Sequence, residues 1–192
     1  MKDDESPPRR RAMRLKEFDY AATGAYFISI VTQNRSCLFG DIVDGKMQLN
    51  NAGETVSRCW HELNSKFSSI KTDEFVVMPN HIHGIVIIAD ATVGADLRVG
   101  PPIVQTGAHA GAPLPKILQW FKTMTTNAYI HGVKGFDWPA FRGRLWQRSY
   151  YEHVIRNDDS LNQIRQYIID NPARWEFDRE NPNASALSPI PP

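Results

Sequence analysis

The chain has 192 residues, enough for one well-filled core and too few to make two full domains the expectation. Its 42% hydrophobic and 22% charged residues are those of an ordinary globular protein. With no run of membrane-spanning length and no apolar leader, a cytoplasmic setting without a membrane partner is expected. The two cysteines, Cys37 and Cys59, form no CxxC pair, which argues against a thiolate zinc site or a disulfide framework.

The net charge of +1 is unevenly spread. Arg9, Arg10, Arg11, Arg14 and Lys16 fall in a stretch with no acid, and Arg142, Arg144, Arg148 and Arg156 face only Glu152. Two basic stretches on a near-neutral chain suit a phosphate backbone as partner. By composition alone such runs are more often a solvated arm or a solvated face.

In chain order, residues 1–18 read as a flexible basic arm, and a single domain is expected over 19–175. Ala25–Thr32 is rich in aromatic and β-branched residues and predicts a first strand. Leu38–Val43 and Lys46–Leu49 flank Asp44-Gly45, a pair that tolerates positive φ and predicts a hairpin. A helix is expected from Asn51, with Asn51 as cap and Glu54 completing a capping box. Val56, Cys59, Trp60, Leu63 and Phe67 then give it one apolar face. Glu74–Met78 and His81–Ile88 predict two strands separated by a Pro79-Asn80 turn.

Residues 89–114 are dominated by Gly, Ala and Pro and read as an insertion within the domain. A second long helix is expected over Pro115–Ile130, with Ile117, Trp120, Phe121, Met124 and Ala128 on one side. Tyr150–Ile155 predicts a last strand. A third helix follows, capped by Asn157 or Asp158 and stopped by Asn171-Pro172. The Pro-, Asn- and Ser-rich tail over 176–192 is expected to lack order. Strands mixed with helices without strict alternation predict an α+β domain, an antiparallel sheet with helices on one face.

The pair His81-Ile82-His83 is the sharpest local feature. Alternate residues of a strand share a face, so both imidazoles point the same way, about 7 Å apart along the chain. Convergent rotamers would bring one nitrogen from each to a single divalent ion; an ordinary hydrogen-bonded pair is the other reading. Without thiolates, an oxygen ligand and open positions suit Mg²⁺ or Mn²⁺ acting on a phosphate. Tyr167 and Asn171 are four residues apart and share one side of the last helix, where they would present a hydroxyl and an amide together. By spacing alone Tyr167 reads first as part of the packing stripe of Leu161, Ile164 and Ile168.

The segments VVMPNHIHGIVI and WQRSYYEHVIRNDDSLNQIRQYIIDNPARW resemble the REP-associated tyrosine transposases, a branch of the single-tyrosine HUH transposases. The stretches RLKEFDYAATGAYFISIVTQNR and CLFGDIVDGKMQLNNAGETV are similar to the same branch, so the resemblance runs from about Arg14 to Trp175. It implies a ferredoxin-like sandwich of the HUH endonuclease type. It also implies metal ligation by His81 and His83, a third ligand at Asn171, and Tyr167 as nucleophile rather than Tyr150 or Tyr151. Many relatives outside the branch carry glutamine where Asn171 stands.

The activity so implied is cleavage and rejoining of single-stranded DNA beside repetitive extragenic palindrome hairpins, through a 5′-phosphotyrosine, by a monomer or a homodimer. Arg14, Lys16, Arg142, Arg148 and Arg156 would hold the DNA backbone, and Trp146 would stack a base. Two rivals remain at this level: a metal-dependent single-strand nuclease that uses water, and a DNA-binding module without catalysis.

Overall fold

A computed structural model describes residues 23–89 and 112–184. The expected basic arm, with Arg14 and Lys16, lies outside the described residues, as do nearly all of the 89–114 insertion and the end of the tail. Among the described residues six strands and four α-helices follow in order: β1 Gly24–Val31, β2 Gly40–Val43, β3 Lys46–Leu49, α1 Asn51–His61, α2 Leu63–Lys66, β4 Ile70–Val77, β5 His81–Ile88, α3 Leu114–Gly135, β6 Tyr151–Ile155 and α4 Asp158–Asp170. No helix among the described residues is long and apolar enough to cross a membrane.

β4, β5, β1 and β6 form one antiparallel sheet in that order, while β2 and β3 pair as a separate hairpin. This is the ferredoxin-like arrangement: two strand–helix–strand crossovers whose strands interleave, which puts β1 and β5 at the centre. The β2–β3 turn is as expected, with Asp44 and Gly45 both at positive φ, 51° and 70°.

The two faces of the sheet carry different cores. Tyr26, Ile28 and Ile30 of β1, with Ile82, Val86 and Ile88 of β5, pack against α1 and α3. Ala25 and Phe27, with Ile85, pack against Leu161, Ile164 and Ile168 of α4. The expectation of helices on one face therefore holds for the two crossover helices and fails for α4. The reason is the period-2 alternation of β1 and β5: one side is apolar throughout and the other carries Ala25, Phe27 and Ile85, so both sides need a cover. Gly84 makes the first contact close. The Trp60 ring of α1 lies on its backbone and stacks with Phe75, ring centroids 4.6 Å apart.

Several boundaries differ from expectation for local physical reasons. The cap of α1 is Asn50, one residue earlier than Asn51, and its side chain accepts from the Gly53 amide at 2.9 Å. β4 starts at Ile70 and carries a register shift between Thr72 and Phe75. α3 continues through Gly132 to Gly135, because the Trp138 ring folds back onto Gly132. Its buried stripe is also rotated: Met124 is exposed, whereas Thr125 and Tyr129 are buried.

α4 is capped by Asn157, whose side chain accepts from the Ser160 amide at 2.8 Å. It is tied to the irregular part of β4 by a fork of two bonds. Arg165 Nε donates to Asp73 Oδ1 at 2.7 Å, and an Arg165 Nη to Oδ2 at 2.6 Å. The tail departs most from expectation. Residues 176–184 are not loose: Asp178 and Glu180 are buried against the domain.

Two outcomes follow from this packing. Gly84→Ala places a methyl group 2.7 Å from Trp60 Cη2, and displacement of the ring is expected to cost about 2 kcal/mol in a urea titration. The Asp73–Arg165 fork contributes about 1 kcal/mol, since Arg165 is 38% exposed and solvent screens it. Hydrogen bonding from Arg165 holds the Asp73 carboxyl below its usual value of 3.8. That contribution is therefore complete above about pH 4 and is lost as pH falls through the depressed value. Asp73→Asn is expected to flatten the acid limb of a stability-against-pH curve; an unchanged limb contradicts the assignment.

Candidate metal and nucleophile site

β5 delivers the histidines. His81 and His83 alternate onto the α4 face of the sheet, opposite Val31 and Ser29 of β1, and both are buried. Their Nε2 atoms are 3.1 Å apart. Two ligand nitrogens at about 2.1 Å from one ion, a right angle apart, are separated by about 3 Å. Two bare nitrogens at this distance repel unless a proton or a cation lies between them.

The tautomer of His81 follows from its neighbour. The Asn80 side-chain amide donates to the carbonyls of Arg35 at 3.0 Å and Glu180 at 2.7 Å, which fixes its oxygen toward His81. That oxygen, 2.8 Å from His81 Nδ1, can only accept, so Nδ1 carries the proton and Nε2 keeps its lone pair. Burial also pushes His81 down to about 3. Burial, then the neighbouring His81, pushes His83 well below its usual value, while Asp178 opposes the shift. Both rings are neutral at physiological pH, the state that binds metal.

α4 delivers Tyr167. Its ring centroid is 5.4 Å from that of His83 and 5.9 Å from that of Phe27, all within one chain. Burial and then the Asp178 charge push its hydroxyl up to about 12, against a smaller downward pull from Asn171. Asn171, the residue that ends α4, is buried, and its Oδ1 has no hydrogen-bond partner. A buried carbonyl oxygen with no donor is costly, and a cation would satisfy it.

The reading from sequence missed Asp178. After Asn171-Pro172 stops α4, a short 3-10 helix, Pro172–Phe177, turns the chain back over the histidines. Asp178 Oδ2 then lies 3.7 Å from His81 Nε2, and His81, His83 and Asp178 offer ligand atoms all within 4.8 Å of one another. Burial raises the Asp178 carboxyl, partly offset by the Glu180 amide that donates to it at 2.7 Å. The strap is fastened by Glu180, which pairs with Arg35 at 2.8 Å, and by the Asn80 bond to its carbonyl. No spacing signal marked Asp178; only the return of the chain brings it in.

The remaining expected residues fall elsewhere. Trp146 is a core residue: it is buried, packs against Phe39 and Phe121, and its indole N–H donates to Thr125 Oγ1 at 2.8 Å. It is therefore not available to stack a base. Arg142, Arg148 and Arg156 are exposed. Tyr151 shares the Tyr167 face of the sheet, with its ring 6.1 Å from Phe27, whereas Tyr150 borders a cleft beside α3.

No family model matches the chain. An uncharacterized protein of Haemophilus influenzae is 39% identical over 175 residues, which span 88% of this chain and 92% of that protein. A solved structure of a REP-associated tyrosine transposase bound to a REP hairpin matches 88% of this chain and 73% of its own, with a TM-score of 0.52 and 16% identity. A crystal structure of a putative transposase from Deinococcus radiodurans matches 77% of this chain and 90% of its own at a TM-score of 0.43 and 16% identity. The fold is that of the REP-associated tyrosine transposase, in agreement with the resemblance of the sequence motifs.

The site predicts a measurable metal affinity. Asp178→Ala and Asn80→Ala are each expected to weaken Mn²⁺ binding about 10- to 100-fold in isothermal titration, the first by removing a donor and the second by freeing the His81 ring. Affinity unchanged by both substitutions contradicts this account of the centre.

Proposed function

This chain belongs to one family with the Haemophilus influenzae protein, and we propose that it is a single-tyrosine HUH transposase that cleaves and rejoins single-stranded DNA. The observation that carries the reading is the approach of Tyr167 to His83 within one chain, beside two neutral imidazoles and a buried carboxylate. The solved transposase of the same fold is bound to a REP hairpin, which supports a hairpin-flanked single strand as substrate here.

His81 and His83 would hold one divalent ion, with Asp178 and Asn171 as oxygen donors, a mixed nitrogen and oxygen set that suits Mg²⁺ or Mn²⁺. The ion supplies Lewis acidity toward the non-bridging oxygens of the scissile phosphate. At rest the Tyr167 hydroxyl keeps its proton, because burial holds it near 12. In the reaction the phenolic oxygen attacks phosphorus and loses its proton to a base or to solvent, while the bond from phosphorus to the 3′-oxygen breaks and that oxygen takes up a proton from solvent. The products are a 5′-phosphotyrosine and a free 3′-hydroxyl. A second 3′-hydroxyl reverses the step by displacing the phenolate, so the phosphodiester is exchanged and not lost to water.

Tyr167 reaches His83 without help from another subunit, which supports action on the metal of its own chain. Two features keep the phenol oriented: its T-shaped contact with Phe27 and its packing against the cluster that holds Ile164 and Ile168.

Incubation with a hairpin-flanked single strand and Mg²⁺ or Mn²⁺ is expected to give a denaturant-resistant protein–DNA adduct. Tyr167→Phe removes the adduct altogether, and His81→Ala or a chelator removes cleavage. Cleavage that survives Tyr167→Phe without an adduct identifies a water-using nuclease. DNA binding indifferent to chelator and to His81→Ala, with no cleavage of any hairpin substrate, identifies a binding module.

A further inference from the structure

A cleft of about 550 Å³ opens between α3 and the segment 143–150, away from the histidine centre. Its volume is that of a small-ligand site, which runs from about 300 to 1,000 Å³. Lys122, Arg144 and Arg148 line it, and among the described residues no carboxylate does. The remaining polar lining is neutral, with the amides of Gln119, Asn127 and Gln147 and the hydroxyls of Thr123 and Thr126. The floor is apolar, formed by Leu118 and the buried Trp146, with Tyr150 at one side.

Lys122 organises the wall. Its Nζ donates to the carbonyls of Gln147 at 2.9 Å and Arg148 at 3.3 Å, and sits 5.5 Å from the centre of the Tyr150 ring. Those bonds hold the 147–150 backbone against α3 and fix where Arg148 starts. Arg144 and Arg148 are exposed at the rim, where long guanidinium side chains can reach an anion in two-point fashion.

The cleft is joined to the metal centre through the backbone. Gln147 donates its amide to Val31, and Gln33 donates to Leu145, while Val31 pairs with His81 across β1 and β5. Two strand spacings, about 10 Å, therefore separate the cleft floor from the His81 backbone.

We propose that this cleft holds one unstacked nucleotide of the single strand that runs to the histidine centre. Its phosphate is taken by Arg144 and Arg148, and its base enters the cleft to be read by Asn127 and Gln119. Cations without a carboxylate among the described lining select a phosphate, and neutral amides select the edge of a base. The proposal deepens the transposase reading and rests on it.

The test compares the wild-type chain with Arg144→Gln/Arg148→Gln, with Asn127→Ala, and with Lys46→Gln/Lys134→Gln, which removes the same charge outside the cleft. Anisotropy of a fluorescent single-stranded oligonucleotide of mixed sequence is measured in chelator across a range of salt. Adduct formation through Tyr167 is scored separately with metal. The double arginine variant is expected to bind about tenfold more weakly, with a shallower salt dependence. Asn127→Ala is expected to weaken binding with its salt dependence unchanged, and the lysine variant to bind as wild type.

If the wild-type chain forms the adduct while the arginine and asparagine variants bind as tightly as it does, the cleft proposal fails and the transposase reading stands. Equal weakening by the lysine variant also overturns the cleft, because general charge then explains the binding. A wild-type chain that neither binds the strand nor forms an adduct overturns both.

Discussion

The side chain of Asn80 is the joint on which the site depends. One carboxamide, fully buried, bonds to the carbonyl of Arg35 near the end of β1, to the carbonyl of Glu180 in the returning strap, and to the ring of His81. Its two donors are spent on backbone, so its oxygen has a single orientation, and the His81 tautomer follows from that. Three pieces of chain remote in sequence are thereby referred to one ring nitrogen. A purely apolar residue in this place would leave two buried carbonyls without donors and the His81 ring free to turn.

Around that joint the sheet serves two separate cores. The inward residues of β1 and β5 facing α1 and α3 are all apolar, and Gly84 lets the Trp60 ring sit flat on the strand. On the other face, the apolar half lies under α4, and the polar half holds Ser29, His81 and His83. The polar half is expensive to bury, since neutral imidazoles, a carboxylate and an amide oxygen all leave water there. A rigid scaffold on the opposite face makes such a site affordable and keeps it from relaxing.

The resting state of the site is electrostatically poised. Burial keeps both histidines unprotonated and the phenol of Tyr167 protonated, and it raises the carboxyl of Asp178. Every one of these shifts has desolvation as its largest cause, and a divalent cation would act on all of them at once. It would stabilise the carboxylate and the phenolate, and give the two imidazole lone pairs a common partner. In the proposed mechanism, metal binding and activation of Tyr167 would thus be linked through the same buried volume.

Much was legible in the sequence, wherever the controlling interactions are local. The start of α4 was narrowed to Asn157 or Asp158, while the β2–β3 turn was fixed by Asp44-Gly45, the end of α4 by Asn171-Pro172, and the pairing of His81 with His83 on one face by strand alternation. Tyr167 and Asn171 were placed on one side of α4 by helical spacing, although spacing alone could not tell a nucleophile from a packed tyrosine. What only the tertiary structure decided are relations between distant segments: α4 on the face opposite α1 and α3, Trp146 in the core, the strap that brings Asp178 beside His81, and the cleft between α3 and 143–150. Composition misread the strap because Pro, Asn and Ser predict loose chain unless something fastens them. Here the fasteners are Arg35 and Asn80, more than 90 residues away, and no local pattern records a bond of that span.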